Sequence, residues 1–211
     1  DARWGEGKTF YVRQVEQTLK YLTRKQWGLS VDDLEEYFSD VDILNSINLN
    51  YSYLPIYYNA WLYDNHDDPL MSLLFVMVKE CQNYLDTKID VASIGDKLCS
   101  LLDSFSLSIK NIELSTNIKS IKENVTGKDI LSSIKTAEQI RELVKSIFDS
   151  IIVENAQKLI VFIDELDRCR PNFAVEMLER IKHYFDDDRI IFVTSINKEQ
   201  LIHTVSKFYG A

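Results

Sequence analysis

The stretch KLIVFIDELDRC, residues 158–169, constrains this chain more than any other. Leu159 to Ile163 is an unbroken apolar run rich in β-branched side chains, without the in-and-out alternation of a strand that has one wet face. Such a run is the mark of a parallel strand buried on both faces, and parallel strands require crossover connections, usually helical. The expected fold class is therefore α/β, a parallel sheet flanked by helices. The run stops abruptly at Asp164-Glu165. Two carboxylates at a strand end are a helix cap or a place for chemistry.

The opening residues, DARWGEGKTFYV, supply the matching half. A loop of the form GxxxxGKT holds phosphates: glycines let backbone N–H groups turn inward, the lysine neutralises charge, and the threonine hydroxyl reaches a magnesium ion. Gly7, Lys8 and Thr9 fit this pattern, Trp4, Gly5 and Glu6 fill the loop, and Phe10 follows it, while Ala2 stands where the first glycine is expected. Lys8 is the expected phosphate-binding and catalytic cation. Thr9 and Asp164 are the expected magnesium ligands, Asp164 through water. Glu165 is expected to orient or deprotonate the water that attacks the γ-phosphate. Such a loop ordinarily follows a buried strand, and only Asp1 and Ala2 precede it here, so the sequence predicts a piece of a longer protein or a first strand that is not visible.

Taken alone, the first motif has a second reading as a solvated turn, and the second motif is usually a helix N-cap. Their occurrence together, in the right order and with all four side chains present, is what points to a nucleotide. The base is read from FVTSINKEQ, which follows another apolar run, Ile190 to Thr194. A guanine reader has the form NKxD, whereas Asn197, Lys198 and Glu199 are followed by Gln200, which removes the bidentate acceptor. ATP with Mg2+ is the expected ligand pair.

The WGEGKT loop, the segment YYNAWLYDNHDDPLMSLL, the block FIDELDRCRPNFAVEMLERIKHYF and the closing IIFVTSINKEQLIHTVSKFYG together resemble the KAP family of P-loop NTPases. That resemblance implies a core of the additional-strand, catalytic-glutamate type, an ATPase with Mg2+ as cofactor. It also implies a setting tied to membranes or to phage exclusion, although the membrane helices that some members insert between the two motifs are lacking here.

The segment from Phe10 to Lys25 reads as the helix carrying phosphates at its N-terminus, with Val12, Val15, Leu19 and Leu22 at three- and four-residue steps. A short acidic helix over Val31–Phe38 and a buried strand over Leu54–Asn59 follow. Trp61 then either faces a ligand or covers the sheet edge. Asp68-Pro69 is a strong helix start for Leu70–Leu85. The distance from Lys8 to Asp164 exceeds what a minimal P-loop fold needs, and the excess predicts a helical insertion over 87–154 on a core made of 1–86 and 155–211. Its helices are expected over Val91–Ser108, Leu131–Lys135 and Ala137–Glu154, with a linker over Ile109–Lys128. Lys119, Lys122, Lys128 and Lys135 there form either a basic face or a solvated one.

After the acidic pair, Pro171-Asn172 starts a helix whose stripe runs Ala174, Met177, Leu178, Ile181, Tyr184 and Phe185, and Asp186-Asp187-Asp188 ends it. The strand Ile190–Thr194 should lie beside the strand Leu159–Ile163, placing Ser195 and Asn197 near the γ-phosphate as sensing residues or as strand-end caps. Arg168 and Arg170 either act on a neighbouring subunit's nucleotide, act within the chain, or pair with the acidic residues 164–167.

A length of 211 residues and 45% hydrophobic content suit a globular protein with a sizeable core. The formal charge of -9 disfavours nucleic acid or an anionic membrane as partner. Cys81, Cys99 and Cys169 are odd in number and far apart, which suggests neither a disulfide framework nor a zinc site. No stretch approaches the roughly 20 apolar residues that span a bilayer. A cytoplasmic setting is expected, or one peripheral to the inner face of a membrane. Two functions follow: Mg2+-dependent ATP hydrolysis driving a conformational or assembly switch, in phage defence or membrane-linked signalling, with a protein partner or a homo-oligomer; or a nucleotide-stabilised scaffold or sensor that does not hydrolyse.

Overall fold

The computed structural model of the chain describes residues 7–66, 68–85, 138–149 and 157–210. The expected loop residues Trp4, Gly5 and Glu6, the helices over Val91–Ser108 and Leu131–Lys135, the linker between them, and the lysines at 119, 122, 128 and 135 lie outside these. The chain divides into two compact units, Asp1–Lys88 with Ile151–Ala211, and Ile89–Ser150.

Three parallel strands form the sheet of the first unit, in the order β1 (Tyr53–Asn59), β2 (Lys158–Asp164) and β3 (Ile190–Ser195). The apolar run that predicts a doubly covered strand is the central one, β2, where Leu159, Val161, Phe162 and Ile163 are buried. Pro55 lies within β1 without disrupting pairing, because β1 hydrogen-bonds only to β2 among the described residues and an edge strand has N–H groups to spare. Successive side chains of β1 point to opposite faces. Tyr57 packs with Val12 and Phe162 beneath α1 (Lys8–Gln26), whereas the hydroxyl of Tyr58 meets Ser72 of α4 (Pro69–Leu85) at 2.7 Å.

The C-terminal half of α1 carries a second small core, Tyr21 and Leu22 against Leu34 and Leu44, closed by the single turns α2 (Asp32–Glu35) and α3 (Val41–Asn45). The acidic helix expected over Val31–Phe38 is thus one turn, since only Leu34 in its four helical residues has a core to enter. Beyond β2, a 3-10 turn (Leu166–Arg168) leads into α6 (Pro171–Tyr184), and α7 (Lys198–Tyr209) follows β3. Helix α6 packs against both α4 and α7. It ends where Phe185 turns inward onto Phe192, with ring centroids 5.0 Å apart.

Of the second unit, the helix α5 over 138–149 is described. Ile140, Val144, Ile147 and Phe148 form its buried stripe at the spacing an amphipathic helix requires.

Candidate functional site

Parallel pairing in register sets Asn59, Asp164 and Ser195 in one row across the carboxyl ends of the three strands. Helix α1 brings its N-terminus to the same end. Gly7 caps it with φ of 76°, a left-handed conformation that favours glycine, and among the described residues no atom lies within 4 Å of where its Cβ would be. The backbone conformation by itself asks for glycine at this position. Two residues later the Thr9 hydroxyl donates to Oδ2 of Asp164 at 2.6 Å, joining positions 155 residues apart. The first-turn N–H groups and the positive end of a 19-residue helix thus lie beside a buried carboxylate.

Asp164 is 1% exposed, and burial of a carboxylate is tolerated only when donors surround it. Its Oδ2 accepts from Thr9 and also from the hydroxyl of Tyr57 at 3.0 Å, while Oδ1 accepts from the Glu165 backbone N–H at 3.0 Å. Burial, then the charge of Asp164 and the hydrogen bond to it, push the Tyr57 phenol far above its ordinary value, and only Arg13 pulls the other way. Tyr57 therefore remains a donor across the physiological range. The Arg13 guanidinium lies 3.3 Å from the centroid of the Tyr57 ring and is held by Glu16 at 2.9 Å.

Glu165 has φ of 61°, the one non-glycine residue with positive φ among those described. Conformations of this kind cost of order 1–3 kcal/mol and cluster at functional sites. Its carboxylate pairs with Arg168 at 2.8 Å, and Asn59 Nδ2 reaches its other oxygen at 3.5 Å. Arg168 thus takes up the acidic-pairing role, within the chain. Arg170 turns instead to Asp64, its guanidinium donating to the Asp64 carbonyl and its backbone N–H to Oδ2 at 3.1 Å. Cys169, a buried free thiol, donates to the Glu165 carbonyl, and burial first, then Asp64 and Asp167, push its pKa up to about 12.

Lys8, Thr9, Asp164 and Glu165 therefore lie at one end of the sheet. Phe10 is 70% exposed on the first turn of α1. Asn197 caps α7, accepting from the Gln200 N–H at 3.2 Å. Ser195, next to Asp164 in the row, keeps a buried hydroxyl without a hydrogen-bond partner among the described residues. Trp61 is exposed beside Asn59, whose side chain accepts from its backbone N–H. Tyr57 and Arg13 escape the sequence, because one reads as strand filling and the other as helix surface. The legible signal was parity: a tyrosine two residues before the end of a strand neighbouring β2 shares a face with that end.

Among the described residues no group of three His, Cys, Asp or Glu side chains could hold a metal alone. The hydroxyl of Thr9 and the carboxylate of Asp164 are hard oxygen donors. They suit Mg2+, which is ordinarily held by one or two protein groups with waters and phosphate oxygens completing its shell.

The sheet, the glycine-capped helix and the acidic strand end define a P-loop domain of the α/β class. The KAP family P-loop domain matches residues 1–211, and the chain belongs to that family. It is 27% identical over 162 residues to an uncharacterized protein, MJ0182, of Methanocaldococcus jannaschii, a match covering 61% of this chain and 82% of that protein. No described helix is long and apolar enough to cross a membrane.

Proposed function

We propose that this domain binds ATP with Mg2+ and hydrolyses it to drive a conformational or assembly change. The observation that carries the reading is the 2.6 Å hydrogen bond from Thr9 to Asp164, which unites two distant motifs at a helix N-terminus. Thr9 and Asp164 would hold the cation, which supplies charge neutralisation at the phosphate oxygens. Lys8, the first residue of α1, would pair with the terminal phosphates. Glu165 would accept a proton from the attacking water, after giving up its pairing with Arg168. The buried hydroxyl of Ser195, without a partner among the described residues, is a ready donor to a water or phosphate oxygen in the same row. ATP is preferred to GTP because Gln200 replaces the aspartate of a guanine reader. The family resemblance is the support for placing the switch in phage defence or membrane-linked signalling.

A second reading, a nucleotide-stabilised scaffold, is favoured by the Glu165–Arg168 ion pair, which occupies the expected base. Equilibrium binding and turnover of Mg–ATP by the wild type, Lys8→Ala and Glu165→Gln separate the two. Hydrolysis expects turnover by the wild type, binding weakened at least tenfold in Lys8→Ala, and binding without turnover in Glu165→Gln, where loss of a general base costs about 10²–10⁴-fold. Tight retention without turnover in all binding forms establishes the scaffold. No binding in the wild type rejects both.

A further inference from the structure

Tyr57 belongs to neither motif, yet its hydroxyl shares Asp164 Oδ2 with Thr9. We propose that Tyr57 is a positioning residue that sets the orientation of the Asp164 carboxylate, and thereby the affinity of the site for its divalent cation, with Arg13 holding the tyrosine ring in place. The inference rests on the reading of Thr9 and Asp164 as the residues that hold the cation.

The terminal torsion of an aspartate is broad and roughly two-fold, so a carboxylate is aimed by its donors rather than by its rotamer. Here the donors divide unequally. The Glu165 N–H fixes Oδ1, and Oδ2 is fixed from two sides, by Thr9 on α1 and by Tyr57 on β1. Thr9 is itself a group that the cation would engage, so Tyr57 is the Oδ2 donor whose place does not depend on what is bound. Tyr57 is in turn confined. Its ring packs with Val12 and Phe162 on one side, and the Arg13 guanidinium lies 3.3 Å from its centroid. Arg13 is tied to Glu16, which is wholly buried and also pairs with Lys20 at 2.8 Å. A line of contacts thus runs from the middle of α1 through an aromatic face to the strand end. Groups behind a ligand are worth about 10–100-fold in metal affinity when removed.

The competing account is that Tyr57 is a core residue whose hydroxyl merely needs a partner. Tyr58 provides the matched comparison. It is adjacent and buried, and its hydroxyl also bonds to a side chain, that of Ser72, but on the opposite face of the sheet.

The test titrates Mg2+ or Mn2+ against the full chain with a fluorescent non-hydrolysable ATP analogue, and measures thermal midpoints in parallel. Tyr57→Phe is expected to raise the half-saturating metal concentration about tenfold or more, with affinity for the metal-free nucleotide unchanged. Arg13→Met should shift it in the same direction by less. Tyr58→Phe should lower the thermal midpoint and leave the metal titration where it was. A Tyr57→Phe metal titration that coincides with the wild type overturns the proposal. If that variant does not fold, Arg13→Met at its half-exposed position decides, and an unshifted half-saturating metal concentration there overturns it equally. A wild type whose nucleotide binding ignores metal overturns the reading of the site itself and this inference with it. That failure shows in the wild type, whereas failure of the inference alone shows only in the variants.

Discussion

Thr23 is wholly buried near the end of α1, and its hydroxyl both donates to the Tyr53 carbonyl at 2.8 Å and accepts from the Tyr53 N–H at 3.2 Å. One side chain thereby satisfies both backbone groups at the first residue of an edge strand. It also joins the rear of the helix to the start of β1, while Thr9 joins its front to the end of β2. Thr23→Val keeps the shape and leaves the two strand groups without this partner, which should destabilise the domain by about 1–3 kcal/mol. Urea denaturation measures this, and Thr23→Ser should recover most of it. Nothing in the local pattern distinguishes Thr23 from the other polar residues of α1. Its position one residue after the buried Leu22 reads as the edge of the apolar stripe, and only the approach of β1 makes its hydroxyl indispensable.

Among the elements, α4 shows how a sequence signal and a tertiary contact come to share one residue. Asp68 precedes Pro69 and accepts from the Leu70 N–H at 2.7 Å, the N-cap that its sequence predicts. Its other oxygen receives Arg180 of α6 at 3.0 Å, a partner that no local pattern could supply. Asp68→Ala should cost about 1–3 kcal/mol by removing both the cap and the inter-helix contact. Asp68→Asn retains most of the capping and isolates the loss of charge, so the difference between the two in urea midpoint reads the cap alone. The strands and α1 were legible because their apolar runs are long and regular. Helix α7 has no reading in the sequence: only Leu201 and Thr204 are buried in it, and Asn197, read there as a sensing residue or a strand-end cap, caps this helix. In β3 a run of four apolar residues, one fewer than in β2, leaves Ile191 and Val193 partly exposed among the described residues, so an apolar run alone does not tell a central strand from an outer one.

For the whole molecule, the buried acids of the domain make its stability sensitive to alkali. The Cys169 thiol, ordinarily at 9.0, is raised to about 12 by burial and by neighbouring carboxylates. A raised value means that the folded state resists losing this proton while the unfolded chain loses it freely. Its contribution is therefore complete below pH 9 and disappears as the pH rises from 9 to 12. Tyr57 and Tyr58 act in the same sense at higher pH, both raised chiefly by burial. Urea midpoints measured from pH 8 upward should fall more steeply for the wild type than for Cys169→Ala; parallel curves would remove Cys169 from this account. The net charge of -9 adds no attraction for polyanions at any of these pH values.

The α/β class, the central strand and the first helix were determined by the sequence itself, which also sets Lys8, Thr9, Asp164 and Glu165 in its two motifs. Each depends on short-range patterns: apolar run length, helical period, and the residue types that phosphate and magnesium chemistry demand. The donors around Asp164, the Arg168 partner of Glu165, the Arg13–Tyr57 contact and the burial of the Ser195 hydroxyl were decided only by the tertiary structure. They arise where strands far apart in the chain end in one row, and the side chains meeting there are chosen by register and face, quantities that exist only once the sheet has formed.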